Sequence, residues 1–179
     1  TVISKFLTKN SQVYYSISAT TRTRRSHEVN GVDYYFLDRT EFLKMIEEDQ
    51  FLEHAEYVGN LYGTPQKPVL EALSEGRDAI LEIEVTGALT VREKWPEAVL
   101  IFIVPPSFSV LEQRLKGRGT EPEEIIQKRL LKAQSEYKAA NIFDYIVVNS
   151  DADKGADEIK AIIEAESYKT EKRKKYIEF

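Results

Sequence analysis

Three short apolar runs in the second half of the chain restrict its fold more than any other feature of the sequence. They are rich in β-branched residues, alternate little between apolar and polar positions, and span 79–85, 99–104 and 145–149. Such runs are typical of strands that are covered on both faces of a parallel sheet. Segments with a helical pattern separate them, at about 87–94 and between 107 and 138. Because strands and helices alternate, the sequence predicts an α/β fold with a doubly wound parallel core flanked by helices.

The region from about 19 to 78 differs from that core, because polar turns interrupt it more often. We expect it to be an insertion with a small sheet of its own. Within it, Thr40 is the predicted N-cap of a helix over 41–48, and 59–65 is predicted to be a turn. Two domains are therefore expected, a core made of 1–18 and 79–179, and an inserted domain over 19–78.

Composition excludes several classes of protein. The chain has 179 residues and no cysteine, which excludes disulfides and a thiolate metal site. Its two histidines, His27 and His54, are too few and too isolated for a zinc centre. The formal net charge of −5 argues against wholesale nucleic-acid binding. No apolar run reaches the roughly 18–20 residues that span a membrane. We expect a cytoplasmic protein without nucleic-acid or membrane partners.

A basic loop follows a predicted strand at 13–17. Residues 20–25 consist of three threonines and three arginines, the latter being Arg22, Arg24 and Arg25. Arginine side chains and hydroxyl groups at the end of a strand suit a planar, doubly charged group such as phosphate. A solvated basic surface is the alternative, because charged runs are usually exposed to water.

Glu53 is a candidate for base recognition. A carboxylate can accept two hydrogen bonds from one edge of guanine, from the ring N–H and from the amino group. Adenine has an unprotonated ring nitrogen at that position, so the same carboxylate rejects it, and such polar mismatches discriminate strongly. The hydroxyls of Ser18 and Thr64 can serve the guanine carbonyl. An ordinary surface carboxylate is the alternative interpretation of Glu53.

Two tyrosines and two acids extend the set of candidates. Tyr34 and Tyr62 lie next to tight turns, where a phenol can reach a phosphate oxygen, although core or rim tyrosines are commoner. Glu82 and Glu84 lie near the carboxyl end of a predicted parallel strand, which is where α/β sheets bind ligands. Magnesium or a nucleotide donor group is the functional interpretation of these acids, and a structural salt bridge is the alternative.

Three arginines in the second half complete the candidates. Arg114 and Arg118 lie four residues apart across a helix end and a break, and Arg129 lies on the next predicted helix. Arginines on a mobile loop can neutralise the charge that spreads over oxygens during phosphoryl transfer. Ordinary helix-surface arginine is the alternative for each one.

Six motifs that occur in order give the chain a resemblance to guanylate kinases of the bacterial type. They are Ser18-Ala-Thr-Thr-Arg-x-x-Arg25, Glu28-Val-Asn-Gly31, Asp33-Tyr34-x-Phe36, Gly59-Asn-x-Tyr62-Gly-Thr64, Leu81-Glu-Ile-Glu84-x-x-Gly87 and Arg118-Gly-Thr120-Glu121. The resemblance covers nearly the whole chain. It implies the P-loop nucleoside monophosphate kinase core, a GMP-binding insertion and a lid at about 116–128. The implied activity is transfer of the γ-phosphoryl group of ATP to GMP or dGMP, with Mg²⁺, in purine nucleotide metabolism.

The resemblance also implies roles for individual residues. In the family's pattern, Arg22, Arg25, Tyr34 and Tyr62 hold the GMP phosphate. Glu53, Ser18 and Thr64 contact guanine, and Glu82 and Glu84 lie by the GMP and magnesium region. Arg114, Arg118 and Arg129 are catalytic and lid arginines, of which Arg114 and Arg118 also contact ATP. Asn149 lies near the adenine of ATP.

One departure from the family's pattern concerns the phosphate loop. The sequence contains no Gly-x-x-Gly-x-Gly-Lys motif, and Thr1-Val2 resembles the residues that directly follow it. Either the sequence is truncated or the kinase has lost its ATP loop, and we expect truncation because the other ligand-type positions are filled. The alternative function is a catalytically inactive, guanylate-kinase-like interaction module.

Overall fold

The computed structural model describes residues 2–57, 59–117 and 122–177. It contains α-helices and β-strands in the following chain order: α1 (Val2–Lys9), β1 (Tyr14–Tyr15), β2 (Ala19–Thr20), β3 (Tyr35–Phe36), α2 (Arg39–Glu47), β4 (Phe51–Tyr57), β5 (Asn60–Pro65), α3 (Gln66–Ser74), β6 (Ala79–Ile80), α4 (Val85–Lys94), β7 (Ile101–Val104), α5 (Phe108–Gly117), α6 (Glu123–Lys138), β8 (Tyr145–Val148), α7 (Ala152–Ser167) and α8 (Thr170–Arg173).

The chain divides into two compact units. The terminal unit consists of Thr1–Lys9 and Val99–Phe179, and the central unit consists of Asn10–Ala98. The domain boundaries predicted at 18/19 and 78/79 stay a prediction. No helix in the described ranges is long and apolar enough to cross a membrane.

The central unit is built on a four-stranded mixed sheet in the order β3-β2-β5-β4. Strands β2 and β3 are parallel, whereas β5 runs antiparallel to both β2 and β4. Side chains on successive strand residues point to opposite faces. One face packs into a core with α2, in which Ala19, Phe42, Phe51 and Leu61 are buried. The rings of Phe42 and Phe51 are stacked, with their centroids 4.5 Å apart. The opposite face is therefore left to the polar residues of the same strands.

The central unit also contains the parallel pair β1 and β6, in which Tyr14 lies opposite Ala79 and Tyr15 opposite Ile80. Strand β6 ends at Ile80, so only the first two residues of the apolar run at 79–85 form a paired strand. The chain then passes through Glu84, which is the N-cap of α4.

The terminal unit contains the parallel pair β7 and β8, in register from Ile101 opposite Tyr145 to Val104 opposite Val148. Helix α1 packs on α7, where a Cβ added at Gly155 would lie 3.1 Å from Val2 Cγ1. Helices α5 and α6 share a small core of Leu115, Ile126 and Leu130. The segment predicted to be a lid, at about 116–128, includes the end of α5 and the start of α6, and its residues 118–121 lie outside the described residues.

Two local predictions were wrong. The N-cap of α2 is Asp38 rather than Thr40, and the helix begins at Arg39. Asp38 and Glu41 form a capping box, in which Glu41 N–H donates to Asp38 Oδ1 at 2.8 Å and Asp38 N–H donates to Glu41 Oε2 at 3.2 Å. The predicted turn at 59–65 is largely strand β5, because β2 and β4 pair with it on both sides and this pairing outweighs its glycine and proline content.

Candidate functional site

Glu53 is a buried carboxylate held by a threonine from the neighbouring strand. It lies on β4 opposite Thr64 of β5, and the residue is only 6% exposed. Thr64 Oγ1 donates a hydrogen bond to Glu53 Oε1 at 2.6 Å. Burial raises the pKa of Glu53 above its usual value, against the lowering effect of the Thr64 hydrogen bonds, and the charge of Glu84 raises it further. An ionised carboxylate in this position is costly without further donors.

The strand register places the other predicted base-reading residue beside this pair. Ala19 lies opposite Gly63 and Thr20 opposite Tyr62, so extending the register by one residue puts Ser18 opposite Thr64. Ser18 is half-buried, and its carbonyl accepts a hydrogen bond from the Tyr35 N–H at 2.9 Å. Ser18, Thr64 and Glu53 therefore follow one another across three adjacent chain segments of the central unit.

Tyr62 connects this row to the basic loop. Tyr62 and Thr64 are two residues apart on β5, so their side chains share a face of the sheet. The Tyr62 ring contacts the ring of Tyr34 with a centroid separation of 6.2 Å. The guanidinium of Arg22 lies 5.5 Å from the centre of the Tyr34 ring and 5.8 Å from that of Phe36, which is cation–π distance.

Arg22 is anchored by Glu28, a residue for which the sequence suggested no role. Arg22 Nη2 donates to Glu28 Oε1 at 2.7 Å, and Nη1 donates to Glu28 Oε2 at 3.1 Å. Nη1 also donates to the Thr23 carbonyl at 2.8 Å. The guanidinium has five N–H groups, and these contacts leave its Nε–H and its second Nη2–H for other acceptors, with the Tyr62 hydroxyl nearby.

Glu28 also fixes the backbone of the loop. It is 6% exposed and accepts the Arg25 N–H at 2.8 Å. The hydrogen bonds from Arg22 lower the pKa of Glu28 to about 2. The side chain of Arg25, by contrast, is 59% exposed, and its Nη1 is 3.9 Å from Glu28 Oε1. The loop thus presents one oriented and one exposed guanidinium.

Glu82 and Glu84 differ in their surroundings. Glu82 is exposed and accepts a hydrogen bond from the Tyr15 hydroxyl at 2.9 Å. Burial and the charge of Glu82 raise the pKa of Tyr15, so this phenol stays protonated and remains a donor. Glu84 is half-buried at the N-cap of α4. The described residues contain no group of three or more His, Cys, Asp and Glu side chains placed to hold a metal ion.

The predicted donor-side residues lie in the terminal unit. Arg114 is exposed in the last turn of α5, and Arg129 is half-buried on α6. Asn149 directly follows β8, is half-buried, and donates its backbone N–H to the Val104 carbonyl at 2.7 Å. Arg118 lies outside the described residues.

A cavity of about 330 Å³ includes Glu53 in its lining. Its lining consists of Ile46, Asp49, Phe51, Glu53, His54, Thr90 and Lys94. Glu53 is the only predicted site residue in that lining. Tyr62, Tyr34 and Arg22 are not part of that lining.

The structure thus brings nine predicted residues into the central unit and three into the terminal unit. The structure adds three residues to which sequence reasoning gave no role. Glu28 holds Arg22, Tyr15 donates to Glu82, and Gly87 contacts the Glu53 side chain. An acidic residue within a basic loop was a signal for Glu28, since a buried guanidinium needs a carboxylate. No local signal gave a role to the other two, because their partners are distant along the chain.

Comparisons with known proteins agree with these features. The family profile described as guanylate kinase matches residues 1–166. A guanylate kinase of Thermus thermophilus is 54% identical over 166 residues, which is 93% of this chain and 75% of that protein. The guanylate kinase of Carboxydothermus hydrogenoformans is 48% identical over 169 residues, covering 94% of this chain and 83% of its own length.

The crystal structure of guanylate kinase from Anaplasma phagocytophilum has the same fold. It superposes with a TM-score of 0.81 at 37% identity, and the match covers 94% of this chain and 82% of that one. The predicted fold class, a nucleoside monophosphate kinase core of α/β type, is confirmed by this likeness. The family profile, the curated relatives and the solved structure agree, and the chain belongs to the guanylate kinase family.

Proposed function

We propose that the chain binds GMP or dGMP in the central unit and serves in the transfer of the γ-phosphoryl group of ATP to it, a cytoplasmic step of purine nucleotide metabolism. The observation that carries this proposal is the buried Glu53–Thr64 pair, which shares a sheet face with Tyr62. The Tyr62 ring contacts Tyr34, and the guanidinium of Arg22 lies over the Tyr34 ring. A nucleotide needs a base contact at one end and a phosphate contact at the other, and this row supplies both.

The base end reads guanine through Glu53. The two guanine donors, the ring N–H and the amino group, approach the carboxylate together, and their hydrogen bonds favour its ionised form. Burial disfavours the ionised carboxylate and raises the pKa of Glu53, and these two donors offset that effect. The Ser18 hydroxyl can rotate to donate to the guanine carbonyl. The Thr64 hydroxyl donates its single proton to Glu53 Oε1 and so holds the carboxylate that meets the base.

The phosphate end uses the oriented Arg22 and the exposed Arg25. Glu28 occupies the end of the Arg22 fork, so the Nε–H and the second Nη2–H form the edge for two phosphate oxygens. Arg25 adds a second positive charge. The phenols of Tyr34 and Tyr62 supply neutral donors beside them.

The reaction requires no covalent intermediate. A phosphate oxygen of GMP attacks the γ-phosphorus in line, the bond to the bridging β–γ oxygen breaks, and ADP leaves with that oxygen's charge. Catalysis then consists of positioning and charge neutralisation. By the family resemblance, Arg114, Arg118 and Arg129 neutralise charge on the transferring group, Arg114 and Arg118 also contact ATP, and Asn149 lies near adenine.

Mg²⁺ enters this proposal together with ATP. Magnesium is usually held by one or two carboxylates and by substrate phosphates, and it retains several waters. Glu82 and Glu84 are oxygen ligands of that kind, and the exposure of Glu82 fits contact through water. When bound, the ion supplies positive charge that shields the phosphates during transfer.

The experiment that tests the proposal compares GMP with AMP as acceptor in a coupled ADP-release assay on the full-length protein. Glu53→Gln presents an N–H where guanine also presents one, so we expect at least a hundredfold loss of kcat/KM for GMP and a loss of GMP preference. The matched control is Glu56→Gln on the same strand, an exposed residue on the opposite face. Unchanged selectivity in Glu53→Gln contradicts the base-reading role.

The inactive interaction module predicts a different result, namely GMP binding without ADP release. The curated relatives favour the enzyme, because each carries the name guanylate kinase and the identity extends over nearly the whole chain. Absence of GMP-dependent ADP release from the full-length protein would favour the module.

A further inference from the structure

Gly87 lies against the Glu53 carboxylate. It is buried in the first turn of α4, three residues after the N-cap Glu84. A Cβ added at Gly87 would overlap Glu53 Oε2, and would lie 3.0 Å from Glu53 Cδ and 3.3 Å from Cγ. Real side chains essentially never approach this closely. The position can therefore hold a residue other than glycine only if the Glu53 side chain moves.

The backbone gives no other reason for glycine at this position. Gly31, Gly59 and Gly76 are the described glycines with positive φ, and Gly87 is not among them. Alanine is favoured over glycine in a helix interior by about 1 kcal/mol. Contact with Glu53 is thus the feature that requires a residue without a side chain, because the helix by itself would be more stable with alanine.

The carboxylate is consequently fixed from two sides. Thr64 Oγ1 holds Oε1 at 2.6 Å, and the Gly87 backbone lies against Oε2. Because Glu53 belongs to the β4–β5 ladder, its backbone cannot shift easily, and only the end of its side chain can adapt. A methyl group at residue 87 would turn the carboxylate away from its present position and leave the fold in place.

We propose that Gly87 is a positioning residue for guanine selectivity, which acts by leaving the space that the Glu53 carboxylate occupies. This inference rests on the proposed function, since it assigns base reading to Glu53. It adds that selectivity depends on a residue of α4 that supplies no side chain to the nucleotide.

The test measures dissociation constants by calorimetry for GMP and for inosine monophosphate, which lacks the guanine amino group. In Gly87→Ala we expect at least a tenfold rise in the Kd for GMP and a fall in the preference for GMP over inosine monophosphate. The matched control is Thr86→Ala, an exposed neighbour on the same helical turn, which should bind both ligands as the parent chain does. Equal weakening of both ligands by Gly87→Ala would indicate a general structural effect and overturn the proposal.

Two further variants separate this proposal from the one on which it rests. Glu53→Gln alone tests the base-reading role, and if it keeps the GMP preference, that role fails whatever Gly87→Ala does. If Glu53→Gln loses the preference while Gly87→Ala retains it, the Gly87 proposal alone fails. In the double variant, we expect no loss of preference beyond that of Glu53→Gln, because both changes act on the same carboxylate.

Unfolding measurements keep the proposal testable if Gly87→Ala lowers stability. In that case Glu53→Ala, introduced into the same chain, should restore much of the lost Tm, since the new methyl group then meets no carboxylate. Failure of Glu53→Ala to restore any Tm would place the conflict elsewhere and overturn the proposal.

Discussion

The ion pair between Arg22 and Glu28 determines how the basic loop presents its guanidinium. Glu28 is buried, receives two hydrogen bonds from Arg22, and accepts the backbone N–H of Arg25. Glu28→Gln keeps the size of the side chain and one acceptor oxygen but removes the charge. We expect this variant to lose stability and, separately, to lose affinity for the phosphate of GMP.

The magnitude follows from the pKa of Glu28, which falls from a usual value of 4.5 to about 2. Each unit of pKa corresponds to about 1.4 kcal/mol, so the interaction reaches at most about 3.5 kcal/mol. Arg22 is partly exposed and water screens the pair, which reduces the expected loss to about 1–2 kcal/mol at pH 7. For a chain of this size, that loss lowers the Tm by roughly 3–6 °C.

The pH dependence has a definite sign. Because the folded-state pKa of Glu28 is lowered, its contribution to stability is complete above pH 4.5 and is lost as the pH falls toward about 2. The difference in unfolding free energy between the parent chain and Glu28→Gln should therefore be constant above pH 5 and shrink below pH 4.5. Thermal unfolding followed by circular dichroism across this range measures it.

The binding assay compares GMP with guanosine, which lacks the phosphate. A less firmly oriented Arg22 should weaken GMP binding by about tenfold and leave guanosine binding unchanged. Glu56→Gln is the control, since its ion pair with Arg39 spans 3.9 Å at an exposed site. If Glu28→Gln binds GMP as tightly as the parent chain does, Glu28 does not position Arg22 for phosphate.

Two other predictions concern stability. Burial raises the pKa of Glu53, so the folded chain binds the carboxyl proton more tightly than the unfolded chain does. The stability that this proton contributes is present below pH 4.5 and is lost as the pH rises through the folded-state pKa. Glu53→Gln cannot ionise and should have a higher Tm than the parent chain at pH 7, with little difference at pH 4; a lower Tm at pH 7 would contradict this. Asp38→Ala removes the capping box of α2 and should cost about 1 kcal/mol in urea unfolding, whereas Thr40→Ala should change stability by less than about 0.5 kcal/mol. Equal losses of stability in these two variants would show that Thr40 caps the helix as much as Asp38 does.

Local signals in the sequence were sufficient for the α/β class and for the family. Hydrophobic runs and turn residues predicted the alternation of strands and helices, and the ordered motifs predicted the family that the comparisons confirm. The capping box of α2 is also encoded locally, because Asp38 is followed three residues later by Glu41. A residue with such a partner is a stronger N-cap signal than Thr40, so the start of this helix can be read from the sequence.

Other features depended on contacts between residues far apart in the chain. Strand β5 has turn-like composition and becomes a strand because two partners pair with it. Strand β6 is short although the apolar run is long, because only two residues find a partner on β1. Pairing is a property of the folded chain, so propensity alone could not give these bounds.

What the sequence by itself determined is the family and the fold class, because both are encoded in residue type and short-range order, and the acceptor-site residues stay a prediction. Only the tertiary structure decided how those residues are held. It showed that Glu28 orients Arg22, that Tyr15 holds Glu82, and that Gly87 makes room for Glu53. The last two contacts join residues that are far apart in the chain. Their physical basis is packing in three dimensions. A glycine without a side chain leaves room for one carboxylate and a tyrosine hydroxyl holds another, and neither contact is visible in the order of residues along the chain.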